Sequence, residues 1–202
     1  PAGRLNQYIK PFTTTSHTQF RAGPPPALGS ALYAADLNEV KAIASTTSTV
    51  RTDEQTEVAR FFTEPPPPWQ WRNRNRFATA STDLAENARM MALLYVASAD
   101  ALGACFETKY HYQYWRPETA IRAGESDDND KTEQDGGFAP YIVTPCFPSY
   151  PSNHASGSYG GADILERIYG AGRHAITLTG TVAANTAIGS SSYRLPGSSS
   201  RA

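Results

Sequence analysis

The chain has 202 residues, 40% of them hydrophobic and 18% charged, with a formal net charge of −1, which is enough for a globular domain with a core. The near-neutral balance removes the electrostatic grounds for nucleic acid or an anionic membrane surface as partner. No run approaches the roughly 18 apolar residues of a membrane span, and "MMALLYVASADALGACF", interrupted by Asp100, reads as a buried helix.

Residues 1–26, rich in Pro, Thr and aromatics and without period, read as an extended N-terminal arm on which His17 is exposed. Residues 27–202 read as one α-helical domain with long Pro-rich loops; without an initiating Met or a signal peptide, the chain is expected to be a processed or partial product. "PPPALGSALYAADLNEVKAIA" places prolines ahead of a helix, with Leu32, Leu37, Val40 and Ile43 near helical spacing. "RTDEQTEVARFF" opens with Thr52 and Gln55 as a capping box and runs helical to Phe62, after which prolines 65–68 forbid helix.

Asp83 and Glu86 mark the start of the longest helix, expected over about residues 84–106, with Leu84, Met91, Leu94, Tyr95 and Leu102 on a broad apolar face. "GESDDNDKTEQDGG", 124–137, offers acidic oxygens but lacks the glycine and terminal glutamate of a calcium loop, so it reads as a solvated acidic loop. "ASGSYGGADILERIYG" reads as a helix ending at Gly170; its Gly157, Gly160 and Gly161 would let another helix come close. Beyond it lie one β-prone run, "AITLTGT", and a Ser/Gly tail, with no alternation long enough for a sheet. The fold class is mainly α, a helical bundle.

Chemistry concentrates in two places. "KYHYQYWRPETAIR" carries Lys109 and Arg116, which on one helix lie near the same face about 10 Å apart and could converge on an anion. Pro117 would end that helix, and His111 would face elsewhere. Tyr112, Tyr114 and Trp115 read as packing groups. Two solvated surface cations are the plainer reading. "PSNHASGSYGGAD" sets Ser152, Asn153 and His154 at a helix start, where unpaired N–H groups attract anions and a histidine can exchange protons near neutral pH. Cys105 and Cys146 fit no zinc spacing; they either pair in an oxidising compartment or stay as buried thiols.

Lys, six residues, Arg-Pro, and later Pro-Ser-x-His, resemble the first two signature motifs of the vanadium-dependent haloperoxidase and type 2 phosphatidic acid phosphatase superfamily. "KYHYQYWRPETAIR" and "FPSYPSNHASGSYGGADILERIYG" look most like its soluble bacterial haloperoxidase-like branch. The resemblance implies a helical bundle in which Lys109, Arg116, Ser152 and the Asn153 N–H bind vanadate or phosphate oxygens and His154 is the acid–base residue. Gly commonly stands in the family where this chain has Asn153.

Vanadate would be the cofactor and hydrogen peroxide and halide the partners. A soluble acid phosphatase acting on phosphate esters, or a non-catalytic structural or assembly protein keeping the fold, are the alternatives. If the two motifs meet, a Cys105–Cys146 disulfide would tie them together and suggest a secreted or periplasmic protein; a homo-oligomer stays open. The third motif, Ser-Arg followed by the histidine that bonds vanadium or attacks phosphorus, is not found, so no metal ligand is identifiable. His174 has Ile168 where the family has Arg, and Ser200-Arg201 lies at the chain's end. The chain therefore reads as truncated before its last catalytic helix, or as a homologue that lost it.

Overall fold

The computed structural model describes residues 3–63, 83–170, 177–180 and 191–194. The expectations for prolines 65–68, His174 and Ser200-Arg201 lie outside the described residues. The elements are α1 (Ala31–Ala44), α2 (Asp53–Thr63), α3 (Leu84–Tyr112), α4 (Pro117–Arg122) and α5 (Asn153–Tyr169), with a short 3₁₀ turn at Arg4–Tyr8 and another at Gly124–Ser126. Strands β1 (Thr177–Gly180) and β2 (Ser191–Arg194) pair antiparallel, Thr177 opposite Arg194. The protein is mainly α, as its composition of periods implies. The small two-stranded sheet was not expected, because four residues are too few to show alternation.

The chain divides into two compact units, one of residues 1–52 and 102–156, the other of 53–101 and 157–202. In the first, Ser30 caps α1 by accepting the Tyr33 N–H at 3.1 Å, a contact worth about 0.5–2 kcal/mol. The helix then buries Tyr33, Ala34 and Leu37. Leu32, expected on that face, is 61% exposed; the buried stripe runs one residue further round. Tyr33 and Leu37 pack with Ala120 and Ile121 of α4 and with Phe138, while Val40, Tyr114 and Trp115 close the edges. Ile121 is fully buried, which stabilises the unit by roughly 1.5–3 kcal/mol.

The acidic segment is less solvated than its composition suggests. Asp127 and Thr132 are buried and bonded to each other, and Asn129 donates to the Leu28 and Ser30 carbonyls. Asn38 and Lys41 of α1 donate to the Lys131 and Glu133 carbonyls, and Thr46 N–H and the Ala44 carbonyl bond residues 139 and 141.

The N-terminal arm lies on the C-terminal part of α3. His17 is 7% exposed, which corrects its expected exposure. Its Nε2 donates to the Ile9 carbonyl at 2.6 Å, and its ring occupies the space a Cβ on Gly103 would need. Phe106 fills the corresponding space at Gly3, whose φ of 70° suits glycine. Arg21 forms an ion pair with Glu107. No sequence period announces the two ring contacts, because each depends on a glycine that leaves room for a ring.

In the second unit Met90 and Leu94 are buried, and Gly160 and Gly161 on α5 stand close to Ala101 and Leu94 of α3, at 3.6 and 3.4 Å from an added Cβ. Leu84–Arg122 includes an 18-residue window of mean hydropathy 1.3 and is long and apolar enough to cross a membrane by length and composition alone. Its buried Met90, Leu94, Asp100 and Lys109 fit a core helix.

Candidate oxyanion site

The first unit holds Lys109, Arg116, Ser152, Asn153 and His154. α3 runs six residues beyond the expected end and stops only at Tyr112, where Gln113 turns into the left-handed region at φ 49°. Lys109 therefore sits on the last helical turn, and its side chain is completely buried. Nζ donates to the Pro148 and Ser149 carbonyls, both at 2.8 Å, and stands 5.1 Å from the centre of the Phe147 ring. Burial, assisted by the positive Arg116, pushes its pKa down to about 8.

Arg116 is not on that helix. Pro117 occupies the first position of α4 rather than ending α3, and Arg116 is the extended residue before it, φ −77° and ψ 147°. The same restriction that stops a helix before proline also starts one at proline. The guanidinium lies 5.5 Å from the Phe147 ring. Burial lowers its pKa, and its Nε is buried without a hydrogen-bond partner. Lys109 and Arg116 thus meet at one aromatic ring from two different elements. Phe147 itself is held edge-on against Phe106, ring centres 5.7 Å apart.

The segment that supplies Phe147 leads straight into the second motif. Ser149 N–H donates to the Tyr114 carbonyl, and Tyr150 Oη donates to the Gly23 carbonyl of the arm. The buried Cys105 thiol faces the Pro151 carbonyl at 3.8 Å. Ser152 then caps α5: its Oγ accepts the Ala155 N–H at 3.1 Å and its carbonyl accepts from Ser156. Its hydroxyl proton remains a donor. Asn153 is half-buried at the first helical position, and His154 is exposed in the first turn. The N–H groups of that turn have no carbonyl four residues back to bond.

An open cavity of about 720 Å³ is lined by Trp115, Arg116, Arg122, Cys146, Phe147 and Pro148 among others. Of the five motif residues, only Arg116 lines it; Lys109, Ser152, Asn153 and His154 do not. Sequence reasoning missed Phe147 and the two carbonyls that hold Lys109. Main-chain acceptors carry no residue-type signal, although the aromatic two positions before Ser149 was visible in "CFPSYPS".

The Cys105–Cys146 pairing is corrected: both thiols are free. Cys105 is buried towards Pro151, whereas Cys146 is exposed in the cavity. Among the described residues no three His, Cys, Asp or Glu side chains gather into a cation site. No carboxylate among the described residues pairs with Lys109 or Arg116. Buried Lys109 and half-buried Arg116 at one ring, in a mainly helical unit that also holds the capped start of α5, define the class: an α-helical domain with a candidate oxyanion site.

The comparisons agree with the helical fold. The family described as the VCPO second helical-bundle domain matches residues 89–197, more than half of the chain, and the chain belongs to it. The vanadium chloroperoxidase of Curvularia inaequalis is 32% identical over 108 residues, which is 49% of this chain and 17% of that protein. A solved structure described as the first bacterial vanadium-dependent iodoperoxidase superposes with a TM-score of 0.67 over 96% of this chain and 47% of its own. At 24% identity that likeness is one of fold. The chain thus spans less than half of either relative.

Proposed function

We propose that the protein contributes the oxyanion cage of a vanadium-dependent haloperoxidase, which oxidises halide with hydrogen peroxide. The observation that carries this reading is the pair of cations, fully buried Lys109 and half-buried Arg116, with no acidic partner among the described residues. Buried charge without a partner is costly, and a bound anion offsets that cost. The residues fit vanadate: Lys109 has a third N–H beyond the two given to carbonyls, and Arg116 has an unpaired Nε. Vanadate, when bound, supplies a Lewis-acidic centre at which peroxide becomes electrophilic towards halide.

This chain's residues then have separable tasks. Lys109 and Arg116 neutralise the anion, and the Ser152 hydroxyl and Asn153 N–H add neutral donors at the helix start. His154, exposed in the first turn, would exchange the proton. Phosphate has the same charge type and the same donor requirement, which keeps a phosphatase as the second reading.

Orthovanadate binding followed by vanadium NMR is the test. Lys109→Met and Arg116→Gln should each weaken it at least tenfold, which is about 1.4 kcal/mol. Unchanged binding in both would sink the cage. Bromide oxidation against phosphate-ester hydrolysis by the purified protein separates the two activities.

A further inference from the structure

Apart from Arg116, none of the groups that would hold an inorganic anion lines the cavity. Its volume of about 720 Å³ falls within the roughly 300–1,000 Å³ of small-molecule sites, more than vanadate or phosphate would fill. Tyr114, Trp115, Pro145, Phe147 and Pro148 give it flat apolar walls. Its charged groups are Arg116, Arg122 and Glu118. Arg122 is already committed, paired with Glu118 at 2.7 Å and donating from Nε to the Phe138 carbonyl at 2.9 Å. Arg116 is left with a buried, unpartnered Nε and no acidic partner among the described residues. The cavity therefore has one uncompensated positive charge at a planar guanidinium, set among rings and prolines.

We infer that this cavity binds an aromatic monocarboxylate, its ring against Trp115 and Phe147 and its carboxylate on the Arg116 guanidinium. The planar fork of arginine matches a carboxylate in two parallel hydrogen bonds, and stacked rings prefer the offset and edge arrangements that such walls allow. A dianion is less well suited, because the walls offer one free charge. The inference rests on Arg116 as an anion-binding group, but not on vanadate.

Benzoate, acetate and inorganic phosphate are the probes, and Cys146 is a built-in reporter, because its thiol is exposed on the cavity wall while Cys105 is buried. Saturating benzoate should slow alkylation of Cys146 by N-ethylmaleimide at least fivefold; acetate at the same concentration should not. By calorimetry, Arg116→Gln should weaken benzoate at least tenfold. Thr119→Trp, an exposed α4 position on the cavity wall, should do the same while leaving phosphate affinity within twofold.

Equal binding of benzoate and acetate, unchanged Cys146 reactivity, or benzoate affinity indifferent to either substitution would overturn the inference. So would loss of phosphate and benzoate together in Thr119→Trp, which would mean no separate aromatic subsite. Benzoate binding as described in a protein that takes up no vanadate would overturn the proposed function alone. Vanadate binding lost in Arg116→Gln, with benzoate unaffected, would overturn this inference alone.

Discussion

Lys109 ties stability to pH in a direction opposite to that of a salt-bridged lysine. In the folded protein its pKa is about 8, against 10.5 for the free side chain, because burial disfavours the charged form. Between those values the unfolded chain holds a proton that the folded one has released, so stability rises with pH through that window. Below about pH 8 both states are charged, and the folded protein carries the full cost. The gap between the two values corresponds to roughly 3 kcal/mol, at about 1.4 kcal/mol per pH unit.

The neutral amine still has two N–H groups, enough for the Pro148 and Ser149 carbonyls. Lys109→Met removes the titration and keeps the length of the stem. Loss of the two hydrogen bonds adds an offset, but not a slope. Urea unfolding at closely spaced pH between about 7 and 10.5 reads the difference between the two proteins, in which all tyrosine titrations cancel. That difference should grow in favour of wild type by up to roughly 3 kcal/mol across the window. Saturating orthophosphate, by holding the ammonium charged, should flatten it. Parallel profiles for the two proteins would show that Lys109 titrates as in water and refute the reasoning.

Three further outcomes are expected. Gly103→Ala places a methyl group inside the His17 ring and should cost roughly 1–3 kcal/mol; limited proteolysis should then cut the arm sooner, and an unchanged digestion pattern would refute its docking. Thiol alkylation of the native protein should modify Cys146 quickly and Cys105 only as fast as the protein unfolds, whereas a protein without free thiols before reduction would restore the disulfide. Asn129→Ala should cost about 1–3 kcal/mol by leaving the Leu28 carbonyl without its donor, while the Ser30 carbonyl keeps the Ala34 N–H; a thermal midpoint equal to wild type would argue against it.

The helices were largely legible because their signals are local. Asp83 does cap α3, accepting the Ala85 N–H at 2.7 Å, and Ser152 and Gly170 bound α5 as their types suggest. Pro117 was read backwards, since its fixed φ is compatible with either side of a helix boundary. For the site, residue types gave Lys109 and Arg116, but not their arrangement. A shared helical face was the wrong geometry, and a ring thirty-odd positions away supplies the meeting point instead. Arm docking through Gly3 and Gly103 was invisible, because a missing side chain leaves no pattern in hydropathy. Cys105 and Cys146 looked alike in the sequence. Only the direction of the Cys105 thiol, towards Pro151, separates their fates.

The segment from Gly124 to Gly137 would be an obvious choice for anyone wishing to splice an epitope or reporter into this protein, being long, polar and rich in glycine and aspartate. Its hydrogen bonds argue against that choice. Asn129 grips the turn before α1, and Lys131 and Glu133 offer their carbonyls to Asn38 and Lys41 at successive turns of that helix. The last two grips, two residues apart on the segment, meet Asn38 and Lys41 one turn apart on α1, so residues added between them would throw them out of step. A graft in this stretch would then loosen α1 from Ile121, and with it the support beneath Trp115 on the wall of the cavity.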